Sequence, residues 1–137
     1  MDKIIFEISI EPSHIDYSGN ASNRYYIDWM EIGRAKLFEQ IGLPFDEIAN
    51  SEVVPVLTST HIDYKEPLLL GDCVRVEGWI TDLKRISGVM QFRFYREQSL
   101  VASGYQKATW VNRSTRRLVR VPQEVRDRFE PFLENAA

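Results

Sequence analysis

The chain has 137 residues, 44% hydrophobic and 27% charged, which suits one domain with one apolar core and excludes long disorder. Its formal net charge of −3 argues against nucleic acid as the main partner, because such binders carry a basic excess. The single cysteine, Cys73, rules out an intrachain disulfide, fits a reducing compartment, and is expected as a small buried apolar residue.

The N-terminus opens Met1-Asp2-Lys3 and then alternates, so no secretory leader is read there and no apolar run reaches the length of a membrane span. A cytoplasmic location is the expectation. Residues 3–10 place Ile4, Phe6, Ile8 and Ile10 on one face, the period of a strand that Pro12 ends. Residues 12–22 are dense in turn formers: Pro12, Ser13, Asp16, Ser18, Gly19, Asn20 and Ser22. A helix is predicted over about residues 23–41, with Asn20 and Ser22 as candidate N-caps and Gly42 and Pro44 as its stop. Its apolar residues, among them Tyr26, Ile27, Trp29, Met30, Ile32 and Leu37, cover more than one narrow stripe and predict a helix nearly surrounded by protein.

A short helical turn is expected near residues 45–49, and the remainder reads mainly as strands. Residues 53–64 alternate through Val54, Val56, Thr58, Thr60, Ile62 and Tyr64, and a connection with Pro67 and Gly71 follows. Residues 73–83 alternate through Val74, Val76 and Ile80, Ser87-Gly88 reads as a turn or bulge, and strands over 89–96 and 99–112 flank the break at Glu97-Gln98. A last short helix starts at Pro122, carries Val125, Phe129 and Leu133 on one face, and is ended or kinked by Pro131. One strand, one long apolar helix and four strands in hairpin order predict an α+β domain over residues 1–137. Its antiparallel five-stranded sheet curls around the helix, which covers the apolar face.

With that order in place, the chain resembles the 4-hydroxybenzoyl-CoA thioesterase-like family of hotdog-fold proteins over roughly residues 4–130. The resemblance rests on Asp16-Tyr17-Ser18-Gly19 followed by Asn23, Tyr26, Trp29, Glu31 and Arg34. Ile62-Asp63-Tyr64 before Pro67 and Gly71-Asp72, and Val121-Pro122 before the last helix, add to it. Two positions depart from the family pattern: Asn20 follows Gly19 where relatives often carry His or Val, and His14-Ile15 stands where a second acidic or polar residue is frequent. The resemblance implies hydrolysis of an acyl- or aryl-CoA thioester without metal or redox cofactor, in a homodimer or homotetramer that needs neither nucleic acid nor membrane.

From the residues alone, Asp16 is a turn-capping aspartate. The resemblance makes it the catalytic carboxylate, nucleophile or general base, with the oxyanion held by the Asn23 backbone N–H and the Gly19 region. A physical reason supports that placement, since the first N–H groups of a helix lack intrahelical partners and its dipole favours a developing anion. Tyr26 is the candidate to line the acyl pocket. Thr58, Ser59 and Thr60 lie where the family's strand passes the site across a dimer interface, and otherwise read as ordinary strand residues.

Lys84 and Arg85 flank a strand turn and are candidates for the phosphates of coenzyme A; Arg113, Arg116, Arg117 and Arg120 form a second basic cluster. Glu31 reads as a surface partner of Arg34, or as an alternative acid on the central helix. His14 and His61 read as hydrogen-bonded structural histidines, without the spacing of a metal site. No Gly-x-Ser-x-Gly elbow, P-loop or dinucleotide fingerprint occurs. Two alternatives stay open: a hotdog hydratase or dehydratase, which needs a histidine beside an acid, and a non-catalytic acyl-thioester binding module.

Overall fold

The computed structural model describes residues 1–134. Its strands are β1 (Ile4–Ser9), β2 (Val53–Tyr64), β3 (Cys73–Ile80), β4 (Ser87–Arg96) and β5 (Ser99–Asn112), all antiparallel in the order β1-β3-β4-β5-β2. Helix α1 (Asn23–Gln40) packs on one face of this sheet, α2 (Phe45–Ala49) follows it, and α3 (Gln123–Phe129) lies near the C-terminus. This is the expected α+β hotdog arrangement, but β2 and β3 are not the hairpin neighbours the chain order suggested. Residues 65–72 carry the chain from one edge of the sheet to a position three strands away, and β2 pairs with β5 instead.

The core forms where the alternate residues of the strands meet one stripe of the helix. Val74, Val76, Met90, Phe92 and Phe94 are buried beneath Tyr26, Trp29, Met30, Gly33 and Leu37, a spacing of three and four residues along α1. A Cβ on Gly33 would lie 2.6 Å from the Phe92 ring, so the helix and sheet approach closely there. The other side of α1 is open, with Ile27 40% and Ile32 39% exposed. The expectation of a helix nearly surrounded by protein is therefore met on the sheet side only within one chain. Ile27 and Ile32 face outward, whereas Tyr25 and Phe38 still pack against the core.

Three smaller expectations also shift. Cys73 is exposed at the start of β3, its Sγ 3.8 Å from the Glu7 carboxylate, because the first residue of the strand points away from the helix. Ser87 and Gly88 begin β4 rather than forming a turn. The alternation along β2 breaks at a register shift between Leu57 and Ser59. Before the shift Pro55 and Leu57 face the helix side beside Trp110 and Ala108; after it Thr60, Ile62 and Tyr64 do. Val56, expected inward, is 38% exposed. The last helix, expected from Pro122, begins at Gln123 with Pro122 as its N-cap and ends at Phe129, so Leu133 lies beyond it and Pro131 sits in the 3-10 turn that follows.

Candidate active site

The turn-rich segment before α1 is a closed loop. Ile15 and Ala21 form an antiparallel bridge, the Asp16 N–H donates to the Asn20 carbonyl at 2.9 Å, and the Gly19 N–H donates to the Asp16 carbonyl at 3.0 Å. Gly19 has φ +86°, and nothing lies within 4 Å of where its Cβ would sit. The turn thus demands glycine for its backbone, not for space. The loop is docked by its far side: the Ala21 N–H donates to the Leu68 carbonyl at 2.8 Å and Asn20 bridges to Leu69. That docking brings the connector after β2 against the start of α1.

Asp16 stands at the tip of this loop. Its Oδ1 accepts from the Ser18 N–H at 2.8 Å and, in a short contact, from the Ser18 hydroxyl. Both bonds fall on one oxygen, Oδ1. The Ser18 hydroxyl, then its backbone N–H, hold the Asp16 carboxyl below its ordinary value; slight desolvation works against them and the Asn20 amide assists. The side chain is therefore both the turn cap that the residues alone suggested and an ionised carboxylate at neutral pH. Ser22, the N-cap of α1, makes no side-chain bond to the helix; its carbonyl accepts from the Tyr25 N–H at 3.1 Å, and no side-chain oxygen caps the N–H of Asn23.

Asp16, Ser18, Asn20, Asn23 and Tyr26 line one cleft of about 410 Å³. Its opposite wall is Tyr64, Lys65, Glu66 and Pro67. Tyr26 is buried, meets Tyr64 edge-on at 5.0 Å, and has its phenol pushed up to about 12, chiefly by burial and further by Tyr64, with Arg96 opposing. It remains a protonated hydroxyl throughout the physiological range. Arg96 holds the connector wall in place, donating to the Pro67 carbonyl at 2.9 Å and reaching Asp72 at 3.3 Å and Glu66 at 3.4 Å.

The other candidates lie elsewhere. Thr58, Ser59 and Thr60 do not line the Asp16 cleft. Thr58 donates to the Lys107 carbonyl at the bulge, Thr60 accepts from Gln106, and the β2 residue at the cleft is Tyr64. Thr60 lies four steps along the strand from Tyr64, roughly 13 Å. Lys84 lines a different cleft of about 230 Å³ with Asp82, Gln91, Tyr105 and Lys107, on the sheet face away from α1, and Arg85 is in neither. The cation that lines the Asp16 cleft is Lys65, on the opposite wall. Tyr64 and Pro67 belong to the second motif that carried the family resemblance, which was the available signal for this wall; nothing marked Lys65 or Arg96.

Glu31 is exposed and pairs with Arg34 at 3.6 Å, the surface partnership rather than a site acid. Both histidines are structural in their contacts. His14 Nδ1 accepts from the Glu11 N–H and its ring packs edge-on against Tyr25 and Trp29. His61 Nε2 lies 3.0 Å from the Asp63 carboxylate, with its ring stacked on Tyr105. Arg113 is tied to the Ile48 carbonyl of α2. Among the described residues, no group of three or more His, Cys, Asp and Glu side chains is placed to hold a metal ion, and no helix is long and apolar enough to cross a membrane.

The family model of the thioesterase-like superfamily matches residues 10–129, a span that takes in the Asp16 loop, α1 and the whole of β2 to β5. The chain belongs to the thioesterase-like superfamily. It is 28% identical over 89 residues to YneP of Bacillus subtilis (strain 168), whose name provisionally marks it an acyl-CoA thioesterase; the match covers 65% of this chain and 64% of YneP. It is 28% identical over 137 residues to the chloroplastic acyl-acyl carrier protein thioesterase ATL3 of Arabidopsis thaliana, covering 93% of this chain and 67% of ATL3. The chain thus spans about two thirds of the length of these curated relatives. The gentisyl-coenzyme A thioesterase BH1999 shares its fold, with a TM-score of 0.80 at 22% identity, over 92% of this chain and 98% of that one.

Proposed function

We propose that this thioesterase-superfamily chain hydrolyses an acyl or aryl thioester at the Asp16 cleft, giving the free acid and a thiol. The carrying observation is the placement of an ionised carboxylate and the open N-terminus of an 18-residue helix in one cleft. As a general base, Asp16 Oδ2 takes a proton from water, whose oxygen adds to the thioester carbonyl; as a nucleophile, Oδ2 adds itself and the resulting anhydride is then hydrolysed. In either route the Asn23 N–H donates to the oxyanion, with Gly19 allowing the loop's close turn. In both routes the C–S bond breaks as the first tetrahedral oxyanion collapses, before any anhydride is hydrolysed, and the thiolate leaves and takes up a proton. Tyr26 supplies a neutral hydroxyl on the acyl side.

The named relatives act on coenzyme A and acyl carrier protein esters, and the substrate proposed here is an acyl-CoA, with acyl carrier protein as the competing leaving thiol. We place the protein in the cytoplasm as a homodimer or homotetramer built from a single domain. The unpaired outer edge of β2 and the open side of α1, with Ile27 and Ile32, supply the surface for pairing. In such an assembly Thr58, Ser59 and Thr60 of one copy would approach the Asp16 cleft of the other, and Lys84 and Arg85 would meet the phosphates of bound coenzyme A.

The deciding experiment measures thiol release from a panel of acyl-CoA, aryl-CoA and acyl carrier protein esters. Release above the uncatalysed rate is expected for at least one acyl-CoA. Hydration of an enoyl ester without thiol release would indicate the hydratase reading, and binding without turnover the binding module.

The pH profile gives a second check. Because Ser18 holds the Asp16 carboxyl low, the active ionised form persists above that lowered value and is lost only as pH falls through it. The acid limb of kcat/KM is therefore expected below the ordinary 3.8 of an aspartate. Ser18→Ala removes the leading cause and should move that limb upward. An acid limb unmoved by Ser18→Ala would separate Asp16 from the rate.

A further inference from the structure

The connector between β2 and β3, residues 65–72, supplies one wall of the Asp16 cleft and touches the Asp16 loop directly. Its two ends are tied by backbone bonds. The Lys65 and Glu66 N–H groups both donate to the Val101 carbonyl, at 2.8 and 3.1 Å, and the Gly71 N–H donates to the Ile10 carbonyl at 3.1 Å. The span between these ends belongs to no strand. Leu68 buries its side chain in the core, which fixes the depth of the span but not the direction of the peptide groups on either side of it.

One side chain from the sheet supplies that direction. Arg96, the last residue of β4, donates through Nη1 to the Pro67 carbonyl at 2.9 Å and meets Asp72 Oδ2 at 3.3 Å. Its Nη2 meets the Glu66 carboxylate at 3.4 Å. The same Asp72 oxygen accepts from the Leu69 N–H at 2.9 Å. The guanidinium thus holds the peptide group before Leu68 directly, and the one after it through Asp72. That second peptide carries the Leu68 carbonyl, which accepts from the Ala21 N–H of the Asp16 loop at 2.8 Å. The N–H and C=O of one peptide lie in a plane and turn together. Whatever fixes the Leu69 N–H therefore aims the Leu68 carbonyl at the loop.

Arg96 does not line the cleft, and its charge is met by two carboxylates. It bears on the site through the bonds it makes. We propose that Arg96 and Asp72 are positioning residues for Asp16: the guanidinium fork orients Asp72, Asp72 orients the Leu68–Leu69 peptide, and that peptide sets the loop carrying the carboxylate. The kinetic side of this rests on Asp16-dependent hydrolysis, and the bonding side does not.

The test measures kcat and KM on the best thioester, and hydrogen exchange of single amides, in Arg96→Met, Asp72→Ala, the double variant and Arg96→Lys. Exchange at Leu69 and Ala21 is expected to quicken about tenfold or more in each single variant, while amides in the middle of β4 and β5 keep their protection. kcat/KM should fall about tenfold to a hundredfold, with kcat sharing the loss, the scale of a misplacement of about 1 Å. Because the two residues act in series, the double variant should fall no further than the worse single one. Arg96→Lys keeps the charge without the planar fork and should recover little; it carries the test if the methionine variant fails to fold. Full recovery by lysine would mean that Arg96 acts through its field on Tyr26 and would overturn the proposal. Additive losses, protection lost evenly across the sheet, or unchanged exchange at Ala21 would do the same. Asp16→Asn, run beside them, should lose most of its turnover and leave Ala21 exchange as it was. If it keeps its turnover, the hydrolysis reading fails, and the exchange results still decide whether Arg96 sets the loop.

Discussion

Asp16→Asn is expected to lower kcat for thioester hydrolysis by about a thousandfold, within the range that a positioned acid–base or nucleophilic group supplies. The substitution suits the question because the structure gives Asp16 two jobs. Its Oδ1 caps the turn by accepting from Ser18, and an asparagine oxygen does that equally well. Gly19 and the bridge of Ile15 to Ala21 are untouched, so the loop should keep its shape and the melting temperature should change little. What asparagine lacks is the ionised second oxygen. If Asp16 were only a cap, turnover would survive the change intact. A large fall in kcat with a small change in KM and an unaltered melt is the result that assigns the carboxylate to chemistry, and full retained turnover would reject it.

How much of this was legible beforehand differs between fold and site, for physical reasons. The elements announce themselves through local periodicity. β2 and β5 fall at the expected residues, α1 starts where expected and runs to Gln40, and α3 follows Pro122. Periodicity is silent about which strands pair. The order β1-β3-β4-β5-β2 depends on a connector crossing the sheet, and the Leu57/Ser59 shift reverses the facing of β2 without interrupting its alternation of residue types. Cys73 was misplaced because a burial habit of its residue type outweighed its position at a strand start.

The Asp16 loop was visible as turn chemistry, and its role came from resemblance. The opposite wall, Tyr64 to Pro67, is brought there by docking of Leu68 and Leu69 on the loop and by the Arg96 clasp, contacts between segments more than forty residues apart from Asp16. No local pattern encodes them. The signal at Lys84 and Arg85 is their charge, and charge does not say which face of a sheet a residue occupies; Lys84 lines the face away from α1.

Gly104→Ala carries the largest expected cost in stability. Gly104 pairs with Ile62 on β2 and Phe92 on β4. A methyl there would press into the His61 backbone carbonyl and come within 3.2 Å of the Ile62 Cα and the Met30 Cε. A side-chain tip such as that of Met30 can turn aside, but the His61 carbonyl cannot move without its strand. The alanine gains about 0.5–1 kcal/mol from a less flexible unfolded chain, and overpacking of this kind costs about 1–3 kcal/mol or more. The clash falls on backbone, so the upper end applies and a net loss of about 2 kcal/mol is expected by chemical denaturation.

Gly88→Ala is the matched control, because its added methyl meets only the Leu83 side chain at an ordinary 3.4 Å. The consequence for the site follows from topology. β2 is an edge strand held by β5 alone, so it is the part that yields, and it carries Tyr64 and leads into Lys65 and Pro67. Displacing it opens the wall opposite Asp16 while leaving the Asp16 loop and the start of α1 in place. KM should therefore rise more than kcat falls, the reverse of the Asp16→Asn pattern. A Gly104→Ala protein as stable as the Gly88→Ala control would mean that the two strands are not held together as closely as Gly104 requires.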